Sequence, residues 1–351
     1  MMEETNQDVP LVPLKIGIVY NGRREAEPEE PDDLYEEYDC EKTIEALAAE
    51  IARQGHSVVT MEQDDDLSRR LREADPDLVF NLAEGLGNGR GRESQVACLL
   101  ESMDIPFTGS DSVSLSLTLD KVLTHTLLGN ASLPTPEFHL FRDESDLKTK
   151  APLFGEGATW IVKPRWEGSS KGIFPDSLVG DVTALEDRVR RIWSRYRQPA
   201  LVERFLPGEE MTVGIVGTPP RLAGMMRIVA ADDDGKPFLY SLEQKRDWVK
   251  QVRYRGPETI APDLRSLLAD RALRAFRALE LRDVARIDFR LDGKGDPHII
   301  DVNPLPGMSP FYSDLPILVR LSGGSYAGLV RAVIDAASLR HKLGDAVSAR
   351  R

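Results

Sequence analysis

The residues best equipped for chemistry lie between Ala285 and Gly307, in ARIDFRLDGKGDPHIIDVNPLPG. Two apolar stretches, Ala285 to Leu291 and Pro297 to Val302, flank an Asp/Gly/Lys turn and read as a β-hairpin. Alternation along a strand puts Arg286 and Asp288 on one face of the first strand, and Asp301 and Asn303 on one face of the second. With the turn centred between Lys294 and Gly295 and no bulge, Asp288 falls opposite Asp301 and Arg286 opposite Asn303. Two carboxylates roughly 5 Å apart across a ladder repel by about 3 kcal/mol at an effective dielectric near ~20. A cation between them would remove that cost. Two carboxylates and an amide oxygen form a hard, all-oxygen donor set, which suits magnesium carried by nucleotide phosphates better than zinc or copper. The same pattern also fits a short acidic hairpin with its polar face in water, where the repulsion is screened.

A second candidate is RWEGSSKG, which sets Gly168, Ser169, Ser170 and Gly172 between a strand and the next element. Glycines allow close backbone approach, and successive N–H groups make a nest for anions. Lys163 at the end of the preceding strand would point towards the same ligand, and Lys121 on an earlier helix offers a second charge. The segment lacks the GK[ST] ending of a Walker loop. Taken alone it also fits a glycine-rich turn that binds nothing.

The elements that must position these residues follow from hydrophobic periodicity. Leu14 to Tyr20 reads as a buried strand, and Glu25 to Glu41 as an acidic loop. A helix from about Lys42 to Gln54 is ended by Gly55. Strands at His56–Met61 and Asp77–Leu82 surround a short helix near Leu67 to Ala74. This alternation argues for a parallel sheet in an α/β domain. A glycine-rich loop, AEGLGNGRGRESQ, then leads into a helix from Gln95 to Met103, and a further helix begins near Leu117 and carries Lys121. Past Pro134 and Pro136 come a strand at Trp160–Pro164, a helix over Val182–Tyr196 and a strand at Ala200–Glu203. A strand at Arg221–Ala230, a polar excursion from Asp232 to Glu258 and a helix over Pro262–Leu279 precede the hairpin. A last helix, Ser325 to Ala336, leads to a polar tail.

With 351 residues the chain has room for two or three domains. Its net charge of −13 argues against a polyanion-binding surface, so nucleic acid is not an expected partner. No apolar run approaches a membrane span. The polar start MMEETNQDVP has no signal-peptide pattern, and Cys40 and Cys98 are the two cysteines, so a reducing cytoplasm with free thiols is expected. Cys98 is placed in the core by its helix pattern. Cys40 sits among carboxylates that disfavour a thiolate. The five histidines, His56, His125, His139, His298 and His341, show no metal or triad spacing and read as structural or surface residues.

Taken together, IPFTGSDSVSLSLTLDK, IVKPRWEGSSKG, LVERFLPGEEMTVGIVG, RIDFRLD and IIDVNPLPGMSP resemble, in order and spacing, the ATP-grasp superfamily and within it the D-alanine-D-alanine ligases. The resemblance runs from about Asp77 to Ala336. It implies an α/β ATP-grasp fold of three domains: a parallel-sheet preATP-grasp domain over 1–116, a central subdomain over 117–205 and a C-terminal domain with the metal site over 206–340, followed by a tail. It implies an ADP-forming ligase in which a carboxylate attacks the γ-phosphate of ATP and an amine displaces phosphate from the acyl phosphate. Asp288, Asp301 and Asn303 would hold magnesium, two ions in the family, with manganese as a substitute. Arg286 and the backbone N–H of Gly307 would stabilise the tetrahedral intermediate. Lys121 and Lys163 would contact phosphates and base, and Ser169, Ser170 and Gly172 would form the closing loop. Glu203 and Leu206 would meet the adenine, and Glu210 the ribose. Lys245 would reach the γ-phosphate from a lid spanning Tyr240 to Lys250. A homodimer through the N-terminal domain is the family's common assembly.

The departures from that pattern concern the substrates. NGRR and the acidic run stand where the family has a glycine-rich loop with an amino-group-binding glutamate. Glu84-Gly85, followed by Arg90, Arg92 and Glu93, replaces a histidine-glycine signature. Arg246 replaces a tyrosine after the lid lysine, and the two are not interchangeable. Asp301 stands where glutamate is usual. The ATP half is thus retained and the amino-acid half rewritten. Arg92 and Arg246 are candidates for a substrate carboxylate, with structural or surface arginines as the alternative. The family's carboxylate-binding serine falls at Ser313 if one residue is inserted after Pro310, and otherwise at Tyr312. The acidic run Glu25 to Glu41 reads as a solvated loop, with capping of the substrate pocket as the alternative. Three functions remain in play: a dipeptide ligase of the D-alanine-D-alanine type, a ligase joining a different carboxylate to another amine, and a nucleotide-binding protein without turnover.

Overall fold

Alternating burial builds three sheets: the first is covered on both faces, and the second and third each turn one polar face towards a common cleft. The computed structural model describes residues 13–27, 30–154, 157–232 and 238–343. The expected N-terminal lead, most of the polar tail, and residues 233–237 of the polar excursion lie outside the described residues.

In the first sheet β1 (Lys15–Tyr20) leads through α1 (Glu41–Arg53) to β2 (Ser57–Glu62), and α2 (Leu67–Ala74) leads to β3 (Leu78–Asn81). The three strands are parallel in the order β2-β1-β3, as the strand-helix alternation requires. Ile16 and Ile18 pack with Ile44, Leu47 and Ile51 of α1. Val19 faces the opposite side, with Leu71, Val96 and Leu100. The next helices are α3 (Ser94–Ser102), α4 (Ser112–Leu119) and α5 (Lys121–Asn130). The single helix expected around Leu117 is therefore two. Asp120 has extended backbone, its carboxylate accepts from the N–H groups of Val122 and Leu123, and Lys121 becomes the first residue of α5. Cys98 is exposed, contrary to its expected place in the core, because α3 buries Val96, Ala97 and Leu100 and carries Cys98 on the other side.

The second sheet contains β4 (Phe138–Phe141), β5 (Trp160–Pro164), β6 (Leu178–Val179) and β7 (Ala200–Arg204), antiparallel in the order β4-β7-β5-β6. Helices α6 (Glu144–Lys150) and α7 (Val182–Tyr196) lie against it. Trp160, Val162, Ala200 and Val202 face α7, which leaves Ile161, Lys163 and Glu203 facing the cleft.

The third sheet has the order β10-β9-β8-β11-β12, from β8 (Glu210–Val216), β9 (Arg221–Ala230), β10 (Val252–Arg255), β11 (Val284–Leu291) and β12 (Pro297–Asn303). The polar excursion before β10 holds two short helices, α8 (Leu242–Arg246) and α9 (Trp248–Gln251). Met211, Val213, Ile287, Phe289 and Val302 pack on α10 (Pro262–Ala278). The opposite face carries Thr212, Arg286, Asp288, Asp301 and Asn303. Two helices close the chain, α11 (Asp314–Leu321) and α12 (Tyr326–Arg340). The periodicity does not pick out α11, because DLPILVRL is short, contains proline and is apolar on almost every side.

Asp288 pairs with Asp301 and Arg286 with Asn303, but the turn is not where that pairing was expected to put it. The hairpin closes one residue earlier, with Leu291 opposite Pro297, and a bulge at Ile300 restores the register. The physical reason is parity. Ile299 and Val302 both face the α10 core, which an unbroken strand does not allow, so one extra residue must intervene.

Candidate active site

The polar faces of the second and third sheets meet across two adjoining cavities. One, of roughly 420 Å³, is lined by Glu84, Glu93, Asn303, Leu305, Gly307 and Ser313 among others. The other is a narrower slot against Ile161, Lys163, Glu203, Leu206, Glu210 and Asp288. Lys121, Ser169, Lys245, Arg286 and Asp301 line both. A group transferred from a ligand in the slot to one in the larger cavity would pass these five side chains.

At that junction Arg286 donates to Asp288 at 2.9 Å and lies 3.5 Å from Asp314. Burial works against its charge, but the Asp288 and Asp314 carboxylates hold the guanidinium above its ordinary pKa. Asp288 also accepts from Thr212 Oγ1 and, at 3.0 Å, from Asn303 Nδ2. Asp301 accepts from Lys121 at 2.9 Å. Burial favours a protonated Asp301, yet Lys121 and Lys163 keep its pKa below the usual range. Both carboxylates are thus neutralised by cations of the chain. Asp288, Asp301 and Asn303 share one face of the hairpin and supply oxygen donors, which fits a hard divalent cation beside phosphates.

In the slot, Glu203 is held by Lys163 at 2.8 Å and His125 at 3.0 Å. Burial opposes ionisation there, but Lys163 and His125 bring its carboxyl down to about 2. Glu210 contrasts with it. Burial outweighs the pull of Arg290 at 3.1 Å and pushes Glu210 up to about 7. Leu206 is buried and its carbonyl accepts from Arg290 Nε at 2.6 Å.

The glycine loop turns back on itself through left-handed conformations at Ser169, Ser170 and Gly172. A Cβ on Gly172 would come within 2.4 Å of Pro164 Cγ, so that position requires glycine. Ser170 Oγ donates to the Tyr240 carbonyl at 3.1 Å and Ile173 accepts from the Leu242 N–H at 3.2 Å, tying the loop to the start of the lid. Lys245 lies 4.9 Å above the Tyr240 ring.

The acidic run is solvated only in part: Glu25, Glu27 and Asp32 are exposed, but two of its acids are drawn into the protein. Asp33 is buried and accepts from the Gly172 N–H at 3.0 Å and Tyr196 Oη at 2.6 Å. Glu37 accepts from the Gly168 N–H at 2.7 Å, from Arg92 at 2.9 Å and from Lys171 at 3.2 Å. Burial alone would raise Glu37, but Arg92 and Lys171 bring it down to about 2. Arg92 is therefore committed to the chain's own Glu37, Glu167 and the Trp166 carbonyl and does not line either cavity. Arg246 does line the larger cavity, yet its fork is occupied by Glu36 at 2.8 Å and Asp32 at 3.3 Å. These pairings were invisible because a run of like charges carries no sign of which distant cations it will meet. Asp314 escaped notice for a similar reason: its link to Arg286 depends on how α11 docks.

Both alternatives for the C-terminal loop line the larger cavity. Ser313 Oγ accepts from the Ser309 N–H at 3.1 Å at the start of α11, and the Tyr312 hydroxyl sits 3.3 Å from Thr43 Oγ1. A Cβ on Gly307 would meet Ser313 Oγ at 2.7 Å. Cys40 corrects a second expectation. Burial and Asp39 oppose its thiolate, but hydrogen bonds from Thr43 and Tyr312 hold the thiol below its ordinary pKa.

Three such sheets enclosing a phosphate-type loop, a lid and an acidic hairpin define the ATP-grasp class. The family model for the D-ala D-ala ligase C-terminus matches residues 127–335. Uncharacterized protein y4sG of Sinorhizobium fredii is 32% identical over 86% of this chain and 88% of its own length. The D-alanine--D-alanine ligase of Desulforudis audaxviator is 30% identical over 84% of this chain and 92% of its own. Among solved structures, the ATP complex of the D-alanine--D-alanine ligase from Bacillus anthracis superposes with a TM-score of 0.71 at 20% identity, over 94% and 99% of the two chains. VanG D-Ala:D-Ser ligase from Enterococcus faecalis gives 0.71 at 17%, over 93% and 100%. The last two likenesses speak for the fold. The chain belongs to the D-alanine-D-alanine ligase family and is an ATP-dependent, ADP-forming carboxylate-amine ligase that uses a divalent metal. Among the described residues no single helix is long and apolar enough to cross a membrane.

Proposed function

We propose that this enzyme joins a carboxylate to an amine through an acyl phosphate, and that its substrates are not a pair of D-alanines. The observation that carries the reading is the junction of the two cavities at Lys121, Lys245, Arg286 and Asp301. The slot takes ATP, with Leu206 and Glu203 at the base, Glu210 at the ribose, and Lys121 and Lys163 along the phosphates. Asp288, Asp301 and Asn303 hold magnesium, two ions by the proposal, which manganese can replace. When bound, the metal neutralises charge on the triphosphate oxygens.

Lys245, with Ser169 and Ser170 of the closing loop, orients the γ-phosphoryl group and excludes water, while Gly172 shapes the loop and gives its N–H to Asp33 rather than to a phosphate. A carboxylate oxygen from the larger cavity forms a bond to the γ-phosphorus as the bond to ADP breaks. The amine then attacks the acyl carbon, and phosphate and a proton leave. Arg286 and the Gly307 N–H face the oxyanion of that second step, where fixed donors lower the barrier most. Support for unusual substrates comes from the larger cavity, lined by Glu84, Arg246 and Ser313, with the acidic segment docked at its edge.

The test offers the purified protein Mg-ATP with pools of D- and L-amino acids and simple amines while phosphate release is recorded. Release with pairs other than D-alanine is expected, and release with D-alanine alone would overturn the substrate reading. Arg286→Ala should retain ATP binding within a few-fold and lose at least about a hundredfold in kcat. Comparable activity would remove Arg286 from its role.

A further inference from the structure

One wall of the larger cavity has no part in the chemistry above. Gly85 adopts a left-handed φ of 89°, and a Cβ there would come within 2.0 Å of the Arg92 carbonyl oxygen. The loop between them is therefore folded back on itself, which brings Glu84 close to Glu93. Carboxylate oxygens of Glu37, Glu84 and Glu93 lie within 4.8 Å of one another. Glu37 is fully provided for, as described. The other two are not. Glu93 is only 7% exposed, yet among the described residues neither it nor Glu84 has a hydrogen-bond or ion-pair partner. The nearby cations are spent elsewhere: Arg92 and Lys171 on Glu37 and Glu167, and Lys121 on Asp301. A carboxylate so buried and without donors is costly for the folded chain unless a ligand provides them.

We propose that Glu84 and Glu93 seat a primary ammonium group carried by one of the two substrates, so that the enzyme selects an amine-bearing molecule over a plain carboxylate. The proposal rests on the ligase reading for the word substrate, but the pocket's chemistry stands apart from turnover. An ammonium has three N–H donors on one atom, which suits two adjacent carboxylates facing a cavity. A divalent metal fits less well. It would need Glu37 as third ligand, and the oxygens of Glu37 already receive bonds from Gly168, Arg92 and Lys171. Burial, reinforced by the charge of Glu37, pushes the Glu93 carboxyl up to about 8, and burial with Glu93 beside it raises Glu84 well above the ordinary range. Both shifts are what an anionic pocket shows before its cation arrives.

The test uses the full-length protein with Mg2+ and a non-hydrolysable ATP analogue, titrated by calorimetry with D-alanine, L-alanine, ethylammonium and propionate. The wild type is expected to bind ethylammonium and at least one alanine, and to bind propionate at least about tenfold more weakly. The double variant Glu84→Gln, Glu93→Gln should lose about tenfold or more for the ammonium probes. Its melting temperature should be no lower than that of the wild type, and its affinity for the analogue should match. If, with Mg-ATP in place of the analogue, the loss shows in single-turnover ADP formation with the acyl donor alone, the ammonium belongs to the donor; if it shows only in phosphate release on adding the amine, it belongs to the acceptor. Either result supports the proposal. Unchanged ammonium binding in the double variant overturns it. So does manganese binding abolished by the substitutions while amine binding persists. Ammonium binding without amide formation under any pairing would sink the ligase reading alone.

Discussion

Glu37→Gln tests how the acidic segment is held on the glycine loop. The side chain is buried and accepts from the Gly168 N–H, Arg92 and Lys171 at 2.7, 2.9 and 3.2 Å. Its carboxyl lies at about 2 in the folded chain against an ordinary 4.5. The difference of about 2.5 corresponds to roughly 3 kcal/mol favouring the ionised, docked form. Breaking a buried charge pair by removing one partner costs about 3–5 kcal/mol, which agrees. Glutamine keeps an acceptor for Gly168 and deletes the charge, so it imitates the protonated acid. The assay is amide hydrogen exchange at Gly168 and Gly172, whose N–H groups bond to Glu37 and Asp33. At pH 7 the variant should exchange roughly a hundredfold faster, since about 1.4 kcal/mol is a factor of ten. The folded pKa is depressed, so the stabilisation is complete above about 4.5 and lost as pH falls towards about 2. The ratio of variant to wild-type rates, in which the intrinsic pH dependence cancels, should shrink over that window. Equal exchange at pH 7, or a ratio that ignores pH, would refute the reasoning.

Three further outcomes follow from the same geometry. Glu203→Ala leaves the Lys163 ammonium buried without its 2.8 Å partner and should lower stability by about 3 kcal/mol by urea unfolding, with weaker ATP binding by calorimetry. Arg246→Ala removes the bridge from α8 to Glu36 and Asp32, partly exposed and worth about 0.2–1 kcal/mol per pair, so protease cleavage within 238–251 should quicken by a few-fold. Glu210 is pushed up to about 7, so the ionised acceptor that we propose for the ribose hydroxyls accumulates as pH rises through that value. The KM for ATP should fall between about pH 6 and 8, and Glu210→Gln should flatten the profile.

Much of the site was legible because its signals are local. Arg286 and Asp288 share a strand face by alternation alone, and the parity of Ile299 against Val302 already demands the bulge that the turn reading omitted. The split of one expected helix at Asp120 was also readable, from an aspartate placed to cap the second. What was missed lies in contacts between distant segments. Arg92 as a substrate ligand, the solvated acidic run and the thiol of Cys40 were all judged from neighbours in sequence. Each is decided by partners far along the chain: Arg92 by Glu37 and Glu167, the acidic run by Gly168, Gly172 and Tyr196, and Cys40 by Tyr312.

Residue order by itself determined the parallel type of the first sheet, the strand faces of the late hairpin and the pairing of Asp288 with Asp301, since periods of two and 3.6 residues and turn chemistry act over a few residues. It also pointed to the lysines, the glycine loop and the lid as one group, and Lys121, Lys163, Ser169, Ser170 and Lys245 do line the slot proposed for ATP. Only the tertiary structure decided which charges are spent inside the protein and which remain for a ligand. That division depends on distances between segments and on water removed from the cleft, where a buried carboxylate is either paired, as Glu37 is, or left for a substrate, as Glu84 and Glu93 are.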